Sequence, residues 1–148
     1  MVTSNAGNRP RVRLSEQGGD EVAQRFFDRF ARAVTSGDGR RIAEMWAVPA
    51  LVVGDSMVQA VGSREAVELF FGGAKDEYNA RGITDTRAEL QRVEWLTRRL
   101  AVVDVRWPYL DASGVERGEE SSTYVLRRDD SGELKVQAAL LRGEKPPA

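Results

Sequence analysis

A chain of 148 residues with 41% hydrophobic and 30% charged residues suits one domain with a single sizeable core. The formal net charge of −1 excludes a global field drawing the chain to nucleic acid or to an anionic membrane, and no apolar run approaches the ~20 residues of a membrane span. Cysteine and histidine are both absent, which excludes disulfides, thiol chemistry, the commonest general base and the commonest metal ligand.

In chain order, residues 1–18 are rich in Asn, Ser, Gly and Arg and read as a flexible tail. Its first part, Met1 to Arg13, has no apolar signal core, so a cytoplasmic protein is expected. Arg9, Arg11 and Arg13 read there as solvated charges rather than a phosphate contact. The first helix is expected from about Asp20, a good N-cap, with Val22, Phe26, Phe30 and Val34 repeating every four residues and Phe27 beside them. Gly37 suits its end, and Asp38 suits the cap of a short second helix presenting Ile42, Met45 and Trp46. Pro49 is expected to close that helix, with a hairpin following over 50–53 and 57–61 around Gly54-Asp55-Ser56. Ser63 caps a long third helix over about 64–81, with Gly72-Gly73 as the place for a local bend.

The rest of the chain reads as strands. Residues 84–95 are strand-like, with an alternation that slips near Gln91 as a bulge would cause. Strands follow at 100–109, 116–128 and 134–142, separated by the turns Asp111-Ala112-Ser113-Gly114 and Asp129-Asp130-Ser131-Gly132. Short turns imply antiparallel pairing, and helices grouped ahead of strands imply an α+β domain over 19–144, with 145–148 as a C-terminal tail.

The order of elements, with Val34-Thr35-Ser36-Gly37-Asp38, Ile42-Ala43-Glu44-Met45-Trp46, Val61-Gly62-Ser63-Arg64-Glu65-Ala66 and the stretch from Tyr124-Val125-Leu126-Arg127-Arg128 through Gly132 to Val136, resembles the nuclear transport factor 2-like superfamily. This superfamily includes ketosteroid isomerases, SnoaL-like polyketide cyclases, scytalone dehydratase and limonene-epoxide hydrolase. The resemblance implies a cone-shaped α+β barrel, in which three N-terminal helices pack on a strongly curved antiparallel sheet around a conical pocket. It also implies a homodimer in many members. Fold does not fix activity, because the superfamily hosts many chemistries and many non-enzymes.

Placed on that frame, alternation puts Val103, Val105 and Trp107, then Tyr124, then Ala138 and Leu140 on the pocket face, with Phe30, Trp46 and Phe70 entering from the helices. The competing reading is that these side chains fill the core. The isomerase set of carboxylate base, tyrosine donor and second acid falls on Gly54, Phe30 and Tyr124, so it is not present as such. A reduced site remains, with Asp55 as base and Tyr124 as hydrogen-bond donor, against the plainer reading of Asp55 as a hairpin-turn residue. The epoxide-hydrolase reading fails because Asp104 and Arg106 alternate onto the opposite face, where they read as a surface or interface ion pair. No metal and no other cofactor is expected.

Two functions stay open. One is a SnoaL-like pocket protein that binds a small apolar or cyclic ligand, with or without weak isomerase, cyclase or dehydratase activity. The other is a non-catalytic association module with a self-filled pocket. No nucleic acid or membrane partner is expected. A homodimer through the outer sheet face is expected, because Leu100, Val102, Val125, Ala139 and Leu141 leave that face apolar while helices cover only the other.

Overall fold

A computed structural model describes residues 10–145. The first helix, α1 (Pro10–Ser36), begins ten residues ahead of the expected start at Asp20, so the part of the expected tail from Pro10 onward is helical. Residues 1–9 and 146–148, where the outer parts of both expected tails fall, lie outside the described residues. Proline is well tolerated in a first helical turn. The glycine pair at 18–19 does not stop the helix, and Gly19 has a use there: a Cβ on it would stand 2.1 Å from Trp95 Nε1. Ala23, Phe26, Phe27, Phe30, Ala31 and Ala33 are buried, so the apolar stripe faces the core as its four-residue spacing requires.

In α2 (Gly39–Glu44), the Asp38 side chain accepts from Arg41 N at 3.2 Å, the cap expected of it. The strand β1 (Trp46–Gly54) begins at Trp46, so Pro49 lies inside a strand rather than closing a helix. The Val48–Pro49 bond is cis. Proline has no N–H to give the ladder. The pairing of β1 breaks there, between Trp46 and Leu51, and the Gln137 side chain donates to Pro49 O at 2.8 Å.

The hairpin partner is β2 (Met57–Val61). Ser63 then caps α3 (Arg64–Phe71), accepting from Ala66 N at 3.0 Å. The expected long helix is two helices, because α3 stops at Gly72 and α4 (Ala74–Ala80) starts after Gly73, whose φ of 82° favours glycine. Among the described residues, four helices therefore precede residue 83, not three.

The strands β3 (Glu89–Trp95), β4 (Leu100–Leu110), β5 (Glu116–Arg128) and β6 (Leu134–Lys145) follow, with the bulge near Gln91 in place between Leu90 and Arg92. They pair antiparallel as expected. The full order is β2-β1-β6-β5-β4-β3, and β1 runs parallel to β6, so the sheet is mixed and open, with β2 and β3 as its edges. The long crossover through α3, α4 and β3 to β5 is what lets a parallel pair form. The class is α+β with helices on one sheet face. The core lies between them, where Val52, Val103, Val105, Leu126 and Val136 are fully buried beneath Phe26 and Phe27.

Two bulges in the β5–β6 ladder decide which β6 side chains face inward. The register passes from Leu126↔Val136 to Val125↔Ala138, leaving Gln137 unpaired, and later from Ser122↔Leu141 to Ser121↔Gly143. Each extra residue inverts the alternation. Ala139 and Leu141 therefore share the inner face with Tyr124 and Ser122. Ala138 and Leu140 take the outer face beside Val125 and Thr123. Among the described residues, no helix is long and apolar enough to cross a membrane.

Candidate functional site

A cavity of about 300 Å³ opens between the helices and the inner sheet face, at the lower end of the range for small-molecule sites. α1 contributes Phe30 and Val34, α3 contributes Phe70 and Phe71, and β1 contributes Trp46 and Val52. The sheet supplies the floor through inward positions of β4 and β5: Trp107 and Tyr109 on one strand, Glu120, Ser122 and Tyr124 on the other. The rings form a continuous wall. Phe30 lies 6.0 Å from Trp107 and from Phe71, and Trp46 lies 5.6 Å from Phe71, in tilted or edge-to-face pairs.

Polar groups are few and grouped. Buried Trp107 donates its Nε1–H to the Tyr124 hydroxyl at 3.1 Å. At one end, the hydroxyls of Tyr78 and Tyr109 both donate to Glu120 Oε1, at 2.7 and 2.9 Å. The guanidinium of Arg81 lies 5.5 Å from the Tyr78 ring and 5.3 Å from the Tyr109 ring, and pairs with Glu144 at 3.4 Å. All three phenols are held above their ordinary value of 10.0. Burial is the main cause in each, and the Glu120 charge adds to it. For Tyr124 the Trp107 hydrogen bond pulls the other way without reversing the shift. Tyr78 and Tyr109 are therefore donors, and Glu120 is the acceptor they share, while the Tyr124 hydroxyl accepts from Trp107. Trp46 Nε1 is buried without a hydrogen-bond partner, an orphan donor on a residue of the cavity wall.

Five of the residues expected at the pocket line it: Phe30, Trp46, Phe70, Trp107 and Tyr124. Val103 and Val105 are on the correct face but fully buried in the core below the cavity, outside its lining. Ala138 and Leu140 do not enter, since the bulge at Gln137 turns them outward, and Ala139 and Leu141 take their places. Asp55 is exposed in the tight turn between β1 and β2 and does not line the cavity. The Asp55–Tyr124 couple is therefore not assembled, because a two-residue hairpin turn carries the acid into solvent.

Tyr78, Tyr109 and Glu120 were missed. The signal for two of them was the same alternation, which reaches Tyr109 one step beyond Trp107 and Glu120 one step before Ser122. Tyr78 had only a helix-face position to mark it. Among the described residues, no group of acidic side chains is disposed to hold a metal ion.

A family model described as NTF2-like protein (DUF6841) matches residues 20–143. The chain belongs to this NTF2-like family. No curated protein matches it. Among solved structures, it is similar to a domain of unknown function with a cystatin-like fold from Nostoc punctiforme, at 16% identity and a TM-score of 0.66 over 88% of this chain and 78% of that one. It is also similar to an NTF2-like protein of unknown function from Shewanella oneidensis, at 10% identity and a TM-score of 0.62 over 83% and 98% of the two chains. A third likeness is to a candidate scytalone dehydratase from Novosphingobium aromaticivorans, at 11% identity and a TM-score of 0.64 over 92% of each chain. At these identities the likenesses establish the fold alone.

Proposed function

We propose that this member of the NTF2-like family is a homodimeric pocket protein that binds a small, largely apolar, cyclic molecule in the cavity between its helices and sheet. The observation that carries the reading is the cavity itself: about 300 Å³ stays open among aromatic walls. Trp46, Phe70 and Trp107 stand around this space rather than closing it, which weighs against a self-filled association module. An isomerase, cyclase or dehydratase step would have to be built on the Tyr78–Glu120–Tyr109 end, the cavity's hydrogen-bonded carboxylate cluster.

The dimer reading is supported by the outer sheet face. Leu51 and Val53 on β1 lie beside Ala138 and Leu140 on β6, which continue through Val125 to Val102. The test of ligand binding is calorimetric titration with naphthalene-2-methanol, a flat bicyclic alcohol. Saturable binding is expected, and it should weaken at least ~10-fold in Ala74→Trp, which fills the half-buried mouth side of the cavity. Absence of binding to the native chain at millimolar alcohol, or equal binding by the folded variant, would overturn the reading.

A further inference from the structure

We propose that the molecule taken by the cavity is an organic cation, a protonated amine carried on a ring system, whose ammonium group pairs with Glu120; this rests on the cavity being a ligand site. Among the lining residues the acids are Glu120 and Asp85, and only Glu120 is half-buried, Asp85 being exposed at the rim. Its Oε1 takes both phenols, while no donor among the described residues reaches Oε2. The two phenols leave the carboxylate its charge, since a phenol neutralises nothing. Among the described residues, no cation is paired with that charge. The lining cation, Lys75, is exposed at the mouth, and Arg81 is outside the lining and is spent on Glu144 and on the two tyrosine rings. A half-buried carboxylate without a cation partner is costly, and a cationic ligand removes the cost.

The walls point the same way. Tyr78, Tyr109, Trp107, Phe30 and Trp46 line the cavity, and aromatic rings attract a desolvated ammonium. The pairing of Arg81 with Tyr78 and Tyr109 shows two of these rings already engaged by a cation on one side. A neutral ligand would gain the apolar contacts but leave the carboxylate uncompensated. An anion would meet its repulsion.

Calorimetry with three ligands on one ring system separates these cases: 2-naphthylmethylamine as its ammonium form, naphthalene-2-methanol as its neutral isostere, and 2-naphthoate. At about pH 7 the ammonium should bind at least ~10-fold more tightly than the alcohol, and the naphthoate most weakly. In Glu120→Gln the ammonium should lose its advantage and bind no more tightly than the alcohol does to the same variant. Raising salt from about 0.05 to 0.5 M should weaken the ammonium and not the alcohol, a readout that needs no variant. Tyr78→Phe, which keeps the carboxylate, should retain the preference. Equal binding of ammonium and alcohol by the native chain, or a preference that survives in Glu120→Gln, overturns the assignment while leaving the cavity a ligand site. Failure of all three ligands to bind overturns both.

Discussion

The tyrosines show how single side chains report on this site. The chain has three, and all three line the cavity. Each is raised above 10.0, by burial first and by Glu120 in addition. A raised folded-state value means that the folded protein holds its phenolic protons where the unfolded chain has released them. The stabilising contribution is complete below 10.0 and is lost as pH rises through the folded range. Two outcomes are expected. The ultraviolet absorbance of tyrosinate should stay absent from the native protein at about pH 10–11, where the chain unfolded in guanidinium shows it. The urea midpoint should fall steadily above about pH 10. A tyrosine that ionises near 10.0 with the fold intact would contradict the Glu120 cluster. At this scale the sequence was a partial guide. Aromatic residues with helical or strand periodicity, such as Phe30, Trp107 and Tyr124, line the cavity. Asp55 looked chemically apt by analogy and was carried into solvent by its turn, whereas Glu120 had no visible partner because its partners, Tyr78 and Tyr109, are supplied by α4 and β4.

At the scale of elements, the errors have common causes. Alternation along β6 could not reveal a bulge, since Ala138, Ala139, Leu140 and Leu141 are apolar at both parities and no polar residue marks the slip. Near Gln91 the polar residues of β3 made the slip visible, and it is there. The parallel β1–β6 pair was hidden because it is a contact between strands far apart in sequence, which short-range turn signals do not address. The glycine pair at 72–73 breaks the helix outright, since Gly73 takes a positive φ. The pair at 18–19 behaves in the opposite way, and the reason gives a test. Replacing an interior helical glycine by alanine ordinarily gains about 1 kcal/mol. At Gly19 the new Cβ would meet the Trp95 indole at 2.1 Å from Nε1 and 2.5 Å from Cδ1. Gly19→Ala should therefore lower stability by about 1–3 kcal/mol, the usual result of overpacking. Urea unfolding measures it. A raised midpoint would mean that α1 does not lie on Trp95.

For the whole molecule, the open question is what covers the outer sheet face. The helices are all on the other side, and the outer positions divide into two zones. One is polar and ion-paired within the chain: Asp104 accepts from Thr123 at 2.6 Å and from Arg92 at 3.0 Å, and Arg106 pairs with Glu89, Glu116 and Glu119. The expected pairing of Asp104 and Arg106 across a twofold axis is thus not needed, since both are spent at home. The other zone is apolar and runs from β2 to β4 through Val58, Val53, Leu140, Ala138, Val125 and Val102, with Val58 72% and Leu140 38% exposed. A twofold partner would lay the same apolar zone over this one, as an isologous interface does, with the ion-paired zone left at its rim. Light scattering at micromolar concentration should therefore give the mass of two chains of 16.4 kDa. Leu140→Glu places a charge within the apolar zone, away from the core and the cavity, so the monomer fold should survive by circular dichroism. The dimer should dissociate at least ~30-fold more readily, corresponding to about 2 kcal/mol for an anchor lost at an interface centre. A native mass of one chain, or an unaltered dimer in Leu140→Glu, would remove this face as the subunit contact.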